Sequence, residues 1–434
     1  MMDKTRTVSC RYAYIVLATA VCAALIAFFA ASIVAGGSKV SHAATTTCNV
    51  KSFGAVGDGV TKDTAAIQKA IESCASAGGG IVEVPAGTYL SAPLYMRSNV
   101  TLQVDTGATL DASKTLSDYT IPAGVTVKEP VLAFINGYKI SNVGITGGGL
   151  INGEGSVWWS TGKAAHDRPR LIELAYATTV TVTGVHLENA GSMHLFFFGS
   201  SSISVSNVTI TAPSSSPNTD GIDFSYSHDA TVNGATIDTG DDNVAIVSGI
   251  AESSAPELGA SNITVENCQF KNGHGMSIGS GTTGGVSNIT VSNITFNGTA
   301  NGLRIKSNRT VGGEVSNVTY SNITMTGVAH PLLFTAYYPT IPSSDTAQPV
   351  TSTTPYYHDI TVKSLTATGA SDAGTIVGVP EKLLTAITLN AVKISAKTGV
   401  VVRNATVTTT GGTAITVSSG SAYILQSNGK VVSA

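Results

Sequence analysis

Over most of the chain, apolar residues alternate with Thr, Ser and Asn in short runs broken by Gly or a small polar pair. A nine-residue unit of the form Asn-Ile/Val-Thr-Val-x-Asn-Ile/Val-Thr-Ile recurs, starting at Asn142, Thr179, Ser202, Asp229, Asn262, Asn288, Asn317, Asp359 and Ala386. Its clearest copies begin at Asn262 and Asn288. Positions two and four are hydrophobic in all nine copies and position three is Thr in seven, the period-two alternation of a strand with one buried face. Two short strands, a corner and a third strand fit within about 25 residues, which is one rung of a coil of parallel strands. One rung cannot bury its own interior, so the units must stack into one continuous domain. The pattern predicts an all-β, single-domain right-handed parallel β-helix, with the variable spacing between units taken up by loops at the corners.

The first segment departs from this period. Asp63 is placed to N-cap a helix in which Ile67, Ala70, Ile71 and Cys74 share one face, ending at Gly78-Gly79-Gly80. A short amphipathic helix ahead of the first rung would cover the open end of the stack and block edge-to-edge association. The recurring Asn-x-Thr triplets match a glycosylation acceptor pattern. Because they repeat with the rungs, they are read as structural: Asn at a bend, Thr on a strand.

Residues 1–43 are not part of the repeat. Lys4, Arg6 and Arg11 precede an apolar run from about Tyr14 to Ala35, and Ser41-His42-Ala43 before Ala44 fits a small-residue cleavage site. This is an export signal, with an uncleaved membrane anchor as the alternative because the run is long for a signal core. Residues 44–434 are expected to form the β-helix domain of a secreted, monomeric protein.

Only 12% of the 434 residues are charged and 42% are hydrophobic, which excludes disorder. Without residues 1–43 the chain carries 20 basic and 26 acidic residues, so no basic excess points to nucleic acid. Three cysteines remain, Cys48, Cys74 and Cys268, too few and too dispersed for a metal cluster. An oxidising compartment would allow Cys48 and Cys74 to pair, while Cys268 sits at an apolar strand position as a small buried hydrophobe.

Chemistry concentrates in four consecutive interruptions of the repeat: Asn218-Thr219-Asp220-Gly221-Ile222-Asp223, Gly240-Asp241-Asp242-Asn243-Val244, Gly273-His274-Gly275-Met276 and Asn301-Gly302-Leu303-Arg304-Ile305-Lys306. They align on apolar alternation, with Ile222, Val244, Met276 and Leu303 in one inward column and Phe224, Ile246, Ile278 and Ile305 in the next. That alignment puts Asp220, Asp242, His274 and Asn301 in a single column on adjacent rungs about 4.8 Å apart. Arg304 and Lys306 flank inward Ile305 and therefore face outward on the same wall. Asp223 shares the outward column of Arg304, as a salt-bridge partner or a structural residue. The glycines on both sides of His274 suggest a close approach to its backbone.

Asp and Gly are also ordinary corner residues, yet an aligned set of carboxylates with a His and two cations calls for chemistry. Like charges one rung apart raise at least one carboxyl pKa. One protonated acid beside ionised carboxylates is what glycosidic cleavage requires: one carboxyl protonates the leaving oxygen, another activates water or attacks. The two cations would bind a substrate anion, most simply a sugar carboxylate. Calcium on the acids is a rival use, weakened by the adjacent Arg and Lys, so no metal or other cofactor is expected.

At these residues the sequence resembles the polygalacturonases of glycoside hydrolase family 28, whose signatures Asn-Thr-Asp, Gly-Asp-Asp, Gly-His-Gly and Arg-Ile-Lys stand in order at 218–220, 240–242, 273–275 and 304–306. The likeness extends to Phe53-Gly54-Ala55-Val56-Gly57-Asp58-Gly59, to Gly149-Leu150-Ile151-Asn152-Gly153 with Trp158-Trp159, and to Arg168-Pro169-Arg170. The wording around the acids and His274 is most similar to bacterial secreted endopolygalacturonases. The resemblance implies hydrolysis of α-1,4-galacturonosyl bonds in polygalacturonate (pectin) with inversion. It implies Asp241 as general acid, Asp220 and Asp242 as bases orienting water, and His274 tuning the acid. Arg304, Lys306, Asn218 and Tyr338 would contact substrate. Thr335 and Val247 depart from residues common in relatives, at positions that would border outer sugar subsites. The carboxylate spacing itself, about 5 Å per rung, is that of a retaining enzyme, in tension with the inversion implied by the family.

Overall fold

The computed structural model describes residues 46–121, 133–160, 168–249 and 259–434; the expected export signal, residues 1–43, lies outside them. Thr46–Ala434 forms one compact unit, a right-handed parallel β-helix. A representative rung contains Ile222–Ser225, His228–Asn233 and Thr236–Thr239, followed by the corner that leads into Val244–Val247. Each strand pairs in parallel with its counterpart one rung away. The second position of the repeat forms an unbroken register Ile203–Ala230–Ile263–Ile289–Val318–Ile360–Ile387. These side chains are inside the coil, as the alternation requires.

The first residue of all nine repeat units is left-handed, with φ between 51° and 57°. The sixth position is left-handed too: Asn207, Asn267, Asn293, Asn322, Ser364 and Ala391 in six copies, Gly147, Gly184 and Gly234 in the other three. Asn, Asp and Gly tolerate this conformation best, which accounts for their recurrence at those two places. Asparagine side chains then bond from rung to rung, as in Asn288 Nδ2 to Asn262 Oδ1 (3.1 Å) and Asn322 through Asn293 to Asn267 (3.2 and 3.0 Å). The amides of Asn262, Asn288, Asn293 and Asn322, each the first residue of an Asn-x-Thr triplet, are thus spent on the ladder.

The helix is Thr64–Ser76, and Ile67, Ala70, Ile71 and Cys74 are its buried residues, as the spacing predicts. It packs over the first strands and is tied down by a Cys48–Cys74 disulfide. Asp63 stands at the N-cap position but makes no side-chain cap bond. Its carboxylate instead accepts from the amides of Val56 and Gly57 at 2.7 and 3.0 Å, pinning the incoming loop. Cys268 is buried and unpaired. Aromatic pairs line the interior beneath the site wall, with Phe197 stacked on Phe224 at 5.3 Å. Each such fully buried side chain contributes about 1.5–3 kcal/mol.

Candidate active site

The site lies on the wall formed by Ile222–Ser225, Val244–Val247, Met276–Ile278, Asn301–Lys306 and His330–Thr335. Registers Ile222–Val244, Val244–Met276 and Met276–Leu303 put Asp220, Asp242, His274 and Asn301 at equivalent places on four rungs, the column expected from the alternation. The same registers align Asp223, Ala245, Ser277 and Arg304.

Tight approach of rungs explains the glycines. A Cβ on Gly273 would lie 2.4 Å from the Asp241 carbonyl oxygen, and one on Gly275 would lie 2.2 Å from that of Asn301. The partner that approaches His274 is therefore the neighbouring backbone. Asn243 strengthens the corner by accepting the Gly275 amide at 2.9 Å.

The three carboxylates occupy different environments. Asp241 is the accessible one: its Oδ1 is 2.8 Å from His274 Nδ1 and accepts the Asp242 amide at 2.9 Å, while Asn218 Nδ2 approaches its Oδ2 at 3.5 Å. Asp242 is buried, and its Oδ1 accepts from Arg304 (2.9 Å) and Ser277 (2.6 Å), its Oδ2 from Lys306 (2.8 Å). Burial alone would push its pKa up, but Lys306 and Arg304 outweigh it and hold the carboxyl below the usual range. Asp220 is buried with an Oδ1 that has no hydrogen-bond partner among the described residues. Burial, and then the charges of Asp223, Asp241 and Asp242, press its pKa well above the ordinary carboxylate value. Asp223 behaves likewise, raised by burial and by Asp242, with Arg170 opposing.

Arg304 and Lys306 thus reach back across the wall to Asp242, and Asp223 is not the ion-pair partner of Arg304. Both cations lie beneath the ring of Tyr338, at 5.4 and 5.0 Å from its centroid. Lys306 keeps further donors for a ligand, and Arg304 Nε is buried without a partner among the described residues. Atoms of Asp241, Asp242 and His274 come within 4.8 Å of one another, close enough for a cation. The two side-chain cations already neutralising Asp242 make that trio a poor fit for a divalent ion.

Sequence reasoning did not identify the supports. Arg168 donates to the Pro217 carbonyl at 2.7 Å and to Asn218 Oδ1 at 2.6 Å, orienting the amide that faces Asp241. His194 is fully buried; its Nδ1 meets the Asp220 carbonyl at 2.8 Å and its Nε2 accepts the Ala190 amide at 3.3 Å. Those two bonds define a neutral ring with the proton on Nδ1, and burial lowers its pKa to about 4. Only the Arg168-Pro169-Arg170 likeness hinted at the first support. A lone His in an aromatic run gave no signal for the second.

Two wall carboxylates with opposite charge preference, flanking a more accessible third, can divide acid and base duties in hydrolysis. The family model described as glycosyl hydrolases family 28 matches residues 74–422. An endo-polygalacturonase of Pectobacterium carotovorum subsp. carotovorum is 34% identical over 368 residues, covering 79% of this chain and 87% of that protein. The solved polygalacturonase of Erwinia carotovora ssp. carotovora shares 31% identity with a TM-score of 0.66, covering 89% of this chain and 95% of that one. A Yersinia enterocolitica family 28 exopolygalacturonase, 24% identical, matches in fold with a TM-score of 0.75 over 90% of this chain and 78% of its own.

Proposed function

Because the chain belongs to glycosyl hydrolase family 28, we propose that it cleaves α-1,4-galacturonosyl bonds within polygalacturonate by inversion. The observation that carries this reading is the difference in environment among the three aspartates. Asp241, accessible and bonded to His274, is the general acid that protonates the leaving glycosidic oxygen. Asp220 is the general base in its ionised form: its buried Oδ1 has no partner among the described residues, and the repulsion that raises its proton affinity makes the ionised carboxylate a stronger acceptor for the proton of the attacking water. Asp242, held ionised by Arg304 and Lys306, orients the same water and fixes the two cations in place.

Lys306 and Arg304, roofed by Tyr338, bind the carboxylate of the sugar at the cleavage point, and Asn218 contacts the substrate beside Asp241. The one-rung spacing of the carboxylates would suit a retaining enzyme. Inversion is favoured because Asp242 is held by Ser277, Arg304 and Lys306, with acceptor capacity left for a water, and Asp220 is buried, so neither is free to swing onto the sugar as a covalent nucleophile. We place the protein outside the cell as a monomer released by cleavage after Ala43, with residues 44–434 as the working domain. Amino-terminal sequencing of protein from culture medium should begin at Ala44.

The test is hydrolysis of de-esterified polygalacturonate, followed by viscosity and reducing ends together. Early loss of viscosity supports internal cleavage; sugar release with little viscosity change points to action from chain ends. Asp241→Asn should lower kcat by about 10³-fold or more. Full activity in that variant, or chelator-sensitive formation of an unsaturated product, would overturn the assignment.

A further inference from the structure

The catalytic column does not end at Asn301. Register Asn301–His330 carries it one rung further, and Leu333–Thr375 brings Asp372 onto the rung after that. The Ser371 and Asp372 amides both donate to the Ala329 carbonyl, at 2.9 and 3.3 Å, which fixes Asp372 beside the ring. His330 Nδ1 bonds Asp372 Oδ2 at 2.6 Å, and the imidazole is 45% exposed. Its Nε2 makes no bond among the described residues. The wall therefore reads Asp220, Asp242, His274, Asn301, His330, Asp372 on six successive rungs, with a second His two rungs, about 10 Å, beyond His274.

We propose that His330, positioned by Asp372, binds the carboxylate of a distal sugar of the substrate, two to three units from the bond being cleaved, and so sets the length of chain the cleft favours. This rests on the polygalacturonate reading above, since it is the repeated anion that gives an exposed cation a ligand on successive rungs. The rung is close in length to one α-linked pyranose, so a polymer lying along the wall places its sugars in near register with the column. Asp372 occupies Nδ1 and leaves Nε2–H as the outward donor. The same bond raises the His330 pKa above its ordinary value, favouring the imidazolium. Charge-assisted bonds of this kind to a carboxylate are stronger than neutral ones.

The experiment compares kcat/KM for defined oligogalacturonates from the dimer to the octamer, using wild type, His330→Ala and Asp372→Asn. In wild type, one added sugar should bring a marked rise as the chain reaches His330. His330→Ala should erase that step and lower kcat/KM for the octamer about tenfold, chiefly through KM, while leaving substrates too short to reach it within twofold. Asp372→Asn keeps the ring and should give a smaller loss with the same length dependence. A uniform loss at every length, or none, would overturn the proposal; His330→Gln repeats the test if His330→Ala folds poorly. A wild type inactive on every oligomer would instead sink the substrate reading itself.

Discussion

Replacing Asp220 and Asp242 singly by asparagine should move stability in opposite directions, although both variants should lose hydrolysis. Unit charges one rung apart, about 4.8 Å, interact by about 3 kcal/mol at an effective dielectric near 20. Asp220 meets that repulsion from neighbouring carboxylates while buried, with one oxygen unpartnered. Its folded-state pKa is raised, so the stability tied to its protonated form is complete below the ordinary carboxylate range and is lost as pH rises through the raised value. Asparagine cannot ionise, so Asp220→Asn should stabilise the fold at pH 7 by about 1–3 kcal/mol. Asp242 is the reverse case: its lowered pKa gives stability present above the ordinary range and lost as pH falls through the folded value. Asp242→Asn leaves buried Arg304 and Lys306 without their counter-charge, at a cost of about 3–5 kcal/mol. For the unit Thr46–Ala434, 1 kcal/mol is worth about 1 °C in Tm. Thermal scans at pH 7 should therefore show Asp220→Asn melting about 1–3 °C above wild type and Asp242→Asn about 3–5 °C below. Near pH 4 the Asp220→Asn gain should vanish while the Asp242→Asn deficit persists. A lowered Tm for Asp220→Asn at pH 7, or a gain independent of pH, would refute the electrostatic account. The expected outcome is a trade of stability for activity at one residue.

Two further variants probe the disulfide and the Arg168 support. Cys48→Ser with Cys74→Ser opens a link between residues 26 apart in sequence and should cost about 3 kcal/mol, read as a lower denaturation midpoint, with kcat unchanged because the site is many rungs away. Arg168→Lys keeps the charge but cannot span the Pro217 carbonyl and Asn218 together. Its kcat on polygalacturonate should fall about tenfold with KM within about twofold, whereas an equal change in both would assign Arg168 to substrate binding.

The repeat made the fold legible because inward columns demand apolar residues at fixed alternation, and no loop length disturbs that demand. The same logic placed Asp220, Asp242, His274 and Asn301 in line, since register follows from the buried neighbours Ile222, Val244, Met276 and Leu303. It could not show that Arg304 and Lys306 turn back two rungs to Asp242, because alternation fixes a side chain's face and not its reach. It likewise missed that Asp63 would spend both oxygens on the preceding loop, a choice set by where that loop returns in space. His330 was overlooked for another reason: its partner Asp372 is 42 residues away, across a long insertion that hides the rung period.

The left-handed corner residues have a consequence for how such a molecule can change over generations. At the first and sixth positions of every repeat they bend the chain through the left-handed region, so the turns of the coil are set locally and renewed on each rung. Segments between turns can then be long, as residues 336–355 are between His330–Thr335 and Tyr356–Val377, without displacing Asp220 relative to Asp242 or His274. The column from Asp220 to His274 is thereby held by the rungs themselves, and the length of a connecting segment can differ from one turn to the next without shifting it.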